Sequence, residues 1–218
     1  MKKTDSQPTL TYLVKQPTIE SENPPLIILL HGVGSNEKDL FSFADALPKQ
    51  FKIVSVRGPI TLNENQFAWF QVQFTENGSI INKDQAENSR KELLKFIEDL
   101  KQVEKFDSEN VYLVGFSQGG IMSYSVALTE PKKIKGIGIL SSRLLPEIKP
   151  IIASNEQLSK LKLFISHGTQ DPVLKYNNAT EAVDFLKSKG LTPEFHTYNA
   201  AHTVTQEMLK DLIIWLDK

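Results

Sequence analysis

The feature that most constrains this chain is the run 111–120, in which Val111, Tyr112, Leu113 and Val114 lead straight into Gly115, Phe116, Ser117, Gln118 and Gly119. Branched and aromatic residues that end at a glycine read as a strand. The residues that follow, starting Gly120, Ile121 and Met122, suit a helix. A serine is therefore caught on a sharp strand-to-helix turn of the form G-x-S-x-G. Such a turn strains the serine backbone, and it needs glycine where side chains would collide with the neighbouring strand and helix. The serine is pushed out at the carboxyl edge of a sheet. An incidental serine on a glycine-rich turn has the same five letters, so the rest of the chain must supply its partners.

Short apolar runs alternate with segments of helical period, the pattern of a mostly parallel sheet covered by helices. Strands are expected at 26–31, 53–56, 111–115, 134–140 and 161–166, with weaker candidates at 10–14 and 194–198. Helices are expected at 37–47, 118–129, 177–189 and 203–216. A further helix carries Leu93, Leu94, Phe96, Ile97, Leu100 and Val103 on one stripe. Asp84 is its expected cap, with Glu87 three residues on completing a capping box. No repeat, linker or low-complexity tract interrupts the pattern, and at 218 residues one α/β domain spanning 1–218, with helices on both faces of the sheet, is the expectation.

Lys and Arg total 25 against 26 for Asp and Glu, so no basic excess favours nucleic acid or anionic lipid. Cysteine is absent, which removes disulfides, thiolate nucleophiles and cysteine-ligated metals together. Lys2 and Lys3 are followed by a polar stretch, 4–7, where a signal peptide would need apolar residues. The longest apolar run, 26–30, is far below the roughly 18 residues of a membrane span. A cytoplasmic chain without a membrane span is expected.

A serine hydroxyl attacks carbonyls poorly until a base removes its proton. Histidine is the natural base, and there are four: His31, His167, His196 and His202. An elbow serine is followed along the chain by its acid and then its histidine. Asp171 fits the acid, in the loop His167-Gly168-Thr169-Gln170-Asp171-Pro172 after the strand at 161–166. His167 precedes that acid and reads as a support for the loop, while His196 lies inside a half-buried strand. His202 follows that strand and is the remaining base. The intervals from 117 to 171 and from 171 to 202 each allow one or two strand-and-helix units to return the chain to the same edge.

The oxyanion of a tetrahedral intermediate needs donors. The backbone N–H of Gln118 is one, and that of Val33, in the glycine-containing loop 31–36, is the other. That loop lacks a Walker lysine and a complete G-x-G-x-x-G, so no nucleotide, other cofactor or metal is expected.

His31-Gly32-Val33-Gly34, Gly115-Phe116-Ser117-Gln118-Gly119-Gly120, His167 to Val173 and Ala201-His202 together resemble the phospholipase/carboxylesterase family, which includes acyl-protein thioesterases. The resemblance covers roughly residues 26 to 216. It implies an α/β-hydrolase fold without a large lid and activity on short to medium acyl esters or thioesters. Arg57-Gly58-Pro59 and Trp69-Phe70 resemble the family's segment lining the acyl or alcohol site, which makes Trp69 and Phe70 candidate substrate contacts; both also fit a core role. Arg57 fits a loop brace better than a substrate contact. Gln71 stands where acyl-protein thioesterases usually carry an acid, and Ala200-Ala201 replace a glycine-rich approach to the histidine, so the bacterial-type carboxylesterase branch is the better match.

The expected function is hydrolysis of a small acyl ester or thioester through Ser117, Asp171 and His202. A catalytically silent binding module and a serine peptidase or amidase use the same fold and remain open. The strip Phe41–Phe43 suits a core or a homodimer contact.

Overall fold

The computed structural model describes residues 8–75 and 78–218; Lys2, Lys3 and the polar stretch 4–7 lie outside them. In chain order the elements are β1 (Tyr12–Lys15), β2 (Leu26–Leu30), α1 (Lys38–Phe41), β3 (Lys52–Val56), β4 (Ile60–Asn63), β5 (Gln66–Ala68), β6 (Val72–Thr75) and β7 (Gly78–Ile81). They continue with α2 (Lys83–Val103), β8 (Val111–Phe116), α3 (Gln118–Thr129), β9 (Gly136–Leu140), α4 (Asn155–Leu158), β10 (Lys162–Gly168), α5 (Asn177–Ser188), β11 (Glu194–Tyr198) and α6 (Gln206–Leu216).

Seven strands form the central sheet in the order β1-β3-β2-β8-β9-β10-β11. All neighbours are parallel except β1, which runs antiparallel to β3. The apolar runs are continuous because both faces of the sheet are covered. On β2, Leu26, Ile28 and Leu30 join one cluster with Leu93 and Phe96 of α2, Ile121 and Met122 of α3, and Val183 of α5. The alternate residues Ile27 and Leu29 join a second cluster with Leu40 of α1 and Leu212 and Trp215 of α6. The same period of two divides β8, with Leu113 on the first face and Val114 on the second. Helices thus cover both faces, the architecture of an α/β-hydrolase. Phe41 and Phe43 pack, partly buried, against the second cluster.

Three sequence expectations need correction. The helix expected at 37–47 is α-helical only over Lys38–Phe41. Beyond it the amides of Ser42, Phe43 and Ala44 bond three residues back, to Asp39, Leu40 and Phe41, so the chain tightens into turns before Pro48. Asp84 does not cap α2. Asn82, with extended backbone, does so by accepting from the Gln85 amide at 3.1 Å. Asp84 lies inside the first turn, where an acid still complements the helix dipole, and Glu87 grips Arg90 at 2.7 and 2.8 Å instead of closing a capping box. The last helix starts at Gln206, not 203, behind Thr205, whose hydroxyl accepts from the Met208 amide. The two antiparallel pairs β4–β5 and β6–β7 stand apart from the central sheet and were not expected.

The parallel strands all end at one edge. The chain leaves β2 toward β3 on one side, whereas β8 continues toward β9 on the other, so a crevice opens between the loops after β2 and β8. In open α/β sheets such a switch point is where ligands bind.

Candidate active site

Ser117 occupies that crevice, at the tip of the turn from β8 into α3. Its backbone sits at φ 52°, ψ −115°, a conformation that side chains rarely adopt and that only surrounding bonds can hold. Three do so. The Ser117 amide donates to the Leu140 carbonyl at 2.9 Å, and its carbonyl accepts from the Ile121 amide at 3.1 Å and from Ser142 Oγ at 2.6 Å. A methyl group at Gly115 would lie 2.3 Å from the Gly119 carbonyl, and one at Gly119 would lie 1.9 Å from the Leu30 carbonyl. Both glycines are therefore required by close approach.

His202 and Asp171 reach the same point from two loops that hold each other. The Thr169 amide donates to the Tyr198 carbonyl at 2.8 Å and the Gln170 amide to the Ala200 carbonyl at 3.1 Å, while Gln170 Nε2 donates to Asn199 Oδ1 at 2.7 Å. Asp171 Oδ1 accepts from the amides of Val173 and Leu174, both at 2.9 Å. Its Oδ2 lies 2.6 Å from His202 Nδ1. On the far side of the ring, His202 Nε2 lies 2.9 Å from Ser117 Oγ. Ionised Asp171 accepts only, so Nδ1 carries the proton and Nε2 presents its lone pair to the serine hydroxyl. Phe116 backs the imidazole, with ring centroids 4.9 Å apart.

Two of the other histidines, His167 and His31, brace loops. His167, on β10 and fully buried, donates from Nε2 to the Leu174 carbonyl at 2.7 Å, and burial pushes its pKa below the ordinary histidine value. His31 holds the loop after β2. Its Nδ1–H donates to the Gly32 carbonyl at 2.7 Å and its Nε2 accepts from the Gly58 amide at 2.9 Å. Burial lowers this pKa too, which keeps the accepting nitrogen unprotonated. His196 stays on β11, 3.1 Å from Glu194.

The loop held by His31 brings Gly32 and Val33 to the wall of the cavity that contains Ser117, Gln118 and His202. Among the described residues, neither the Val33 amide nor the Gln118 amide has an acceptor. Arg57 grips Glu37 through two bonds of 2.7 and 2.6 Å and lies over the Phe67 ring at 4.4 Å, bracing that loop from behind. The guanidinium holds the Glu37 carboxyl below its usual range.

Trp69 and Phe70 separate. Trp69 is fully buried, donating from Nε1 to the His31 carbonyl at 3.0 Å, and does not line the cavity, whereas Phe70 does. The Gln118 side chain ties this segment to the Ser117 turn: Oε1 accepts from the Trp69 amide and Nε2 donates to the Phe70 carbonyl, each at 2.7 Å. From sequence only the Gln118 amide carries an expected role; its side-chain clamp is visible only in the structure. Also unanticipated are the cavity walls from β6–β7, Val72, Ser79 and Ile81, and from the loop after β9, Arg143. The alternation of apolar and polar residues over 70–75 and the Asn77-Gly78 pair are the strand and turn signals that point to β6–β7. Among the described residues, no cluster of three or more His, Asp or Glu side chains is arranged to hold a metal ion, and no helix is long and apolar enough to cross a membrane.

Comparison with known proteins agrees with this architecture. The phospholipase/carboxylesterase family profile matches residues 15–218. Acyl-protein thioesterase 1 of Mycosarcoma maydis is 29% identical, the match covering 96% of this chain and 97% of the relative. The carboxylesterase SOBER1 of Arabidopsis thaliana is 28% identical over 88% of this chain and 89% of its own. Among solved structures, the Bacillus cereus carboxylesterase superposes with a TM-score of 0.81 at 22% identity, covering 96% of this chain and 94% of that one.

Proposed function

The chain belongs to the phospholipase/carboxylesterase family, and from that premise we propose that it hydrolyses carboxylic esters or thioesters with Ser117 as nucleophile, His202 as base and Asp171 as orienting acid. The observation that carries this reading is the continuous chain of contacts, 2.6 Å from Asp171 Oδ2 to His202 Nδ1 and 2.9 Å from His202 Nε2 to Ser117 Oγ.

In this mechanism Ser117 Oγ bonds to the acyl carbon as its proton passes to His202 Nε2. The amides of Val33 and Gln118 stabilise the oxyanion. The bond to the leaving group then breaks, and the imidazolium returns its proton to the departing oxygen or sulfur. Water, deprotonated by the same nitrogen, releases the acid from the acyl-serine. Relatives named as acyl-protein thioesterase and as carboxylesterase support both leaving atoms. The cavity, about 140 Å³ and open to solvent, is walled by Phe70, Val72, Ile81, Phe116, Ile121 and Leu174, an apolar lining that suits an acyl or alcohol group.

The test is Ser117→Ala on a short-chain 4-nitrophenyl ester. Turnover falls by about 10⁴-fold or more while the thermal midpoint is kept. A variant that retains near-wild-type turnover contradicts the assignment.

A further inference from the structure

Among the described residues, Arg143 is the one lysine or arginine in the wall of the cavity. It follows Ser142, whose hydroxyl holds the Ser117 carbonyl, so it is anchored one residue from the nucleophile's backbone. Among the described residues its hydrogen bond is weak: Nη2 to Ser79 Oγ at 3.4 Å, at the limit of useful geometry. No carboxylate among the described residues comes within ion-pair distance of it. The nearest acid in sequence, Glu147, bonds Lys83 at 3.1 Å instead. Burial pushes the guanidinium pKa down, with Glu147 opposing, which marks a charge partly withdrawn from water and incompletely compensated.

A guanidinium fork is shaped to hold a carboxylate through two parallel bonds. Pockets that are otherwise apolar use a few such polar groups to fix a ligand's orientation. We infer that Arg143 selects substrates carrying a free carboxylate, so that the preferred substrate is an anionic ester or thioester. This rests on the serine-hydrolase reading of the same site. A carboxylate fits better than a phosphate dianion because, among the described residues, a single fixed positive charge faces the cavity.

The experiment compares kcat/KM for two pairs of esters, with spontaneous hydrolysis subtracted. One pair places the carboxylate on the acyl side, 4-nitrophenyl hemiglutarate against 4-nitrophenyl pentanoate. The other places it on the alcohol side, 4-acetoxybenzoate against its methyl ester. The wild type prefers the anionic member of at least one pair by about tenfold or more, and which pair it is identifies the side. That ratio collapses toward one in Arg143→Gln and is only partly kept in Arg143→Lys, which retains the charge but not the fork. A wild-type ratio at or below one for both pairs, or a ratio unmoved by Arg143→Gln, overturns the inference.

Binding separates a failure of this inference from a failure of the hydrolase reading. Glutarate and 4-hydroxybenzoate are titrated calorimetrically into Ser117→Ala and into Ser117→Ala combined with Arg143→Gln. Loss of binding by at least one of them on removing the guanidinium supports Arg143 as an anion site even if no ester is turned over. Equal affinity in the two proteins, or no binding to either, counts against it.

Discussion

His202 divides its two nitrogens between an acceptor and a donor, and the division is set by Asp171. Oδ1 of that residue is occupied by the Val173 and Leu174 amides, so Oδ2 alone faces the imidazole. In Asp171→Asn the amide oxygen keeps the two loop bonds, and the new NH₂ group points at Nδ1. The imidazole must then accept there and carry its proton on Nε2, where it meets the Ser117 hydroxyl with the wrong polarity. The fold survives but the proposed base is disarmed. Steady-state kinetics should show kcat reduced by about 10³–10⁴-fold with the thermal midpoint nearly unchanged; a loss below about tenfold contradicts an orienting role for Asp171.

At the scale of elements, the Ser117 turn is clamped to the 69–70 segment by the Gln118 side chain. Gln118 satisfies the buried Trp69 amide and Phe70 carbonyl together. Gln118→Ala leaves both unpaired, which should cost roughly 2–4 kcal/mol, read as a lower urea midpoint with faster hydrogen exchange at the Trp69 amide. An unchanged midpoint and exchange rate would show the clamp to be dispensable. Much of this level was legible in the sequence. The central strands were recognisable because burial on both faces makes their apolar runs continuous. Ser117 and Asp171 stood out because each follows such a run at its carboxyl end, and His202 because it is the histidine that remains after the acid, behind the weaker strand 194–198. The misses have local causes. Asn82 wins the cap of α2 because its backbone is extended one residue before the helix, a fact that composition around Asp84 does not reveal. The pair β4–β5 is short and partly exposed, so its pattern is faint; β6–β7 carries a readable alternation and an Asn-Gly pair but lies apart from the continuous apolar runs that mark the central sheet. Arg143 escaped notice because nothing local marks a lone arginine as facing a cavity formed by residues far along the chain.

For the molecule as a whole, acid should act first through two buried histidines. His31 and His167 have folded-state pKa values pushed down by burial, whereas the unfolded chain takes up their protons at about 6.5. Below that pH the unfolded state binds more protons, so stability is full above about 6.5 and is lost as pH falls toward the folded values. Carboxylates lowered by partners, such as Glu37 beside Arg57, add their loss only below about 4.5. Thermal midpoints measured between pH 7.5 and 5 should therefore decline already in the upper window, and less steeply in His167→Gln, whose amide can still donate to Leu174; an equal slope in the variant would remove His167 from this account. An activated serine at one end of the sheet should react with electrophiles, so covalent labelling is its sharpest test. A fluorophosphonate probe incubated with the folded protein, followed by peptide mass mapping, should give one adduct, on Ser117, that disappears in His202→Ala. No adduct on Ser117, or labelling that is as fast without His202, would contradict it.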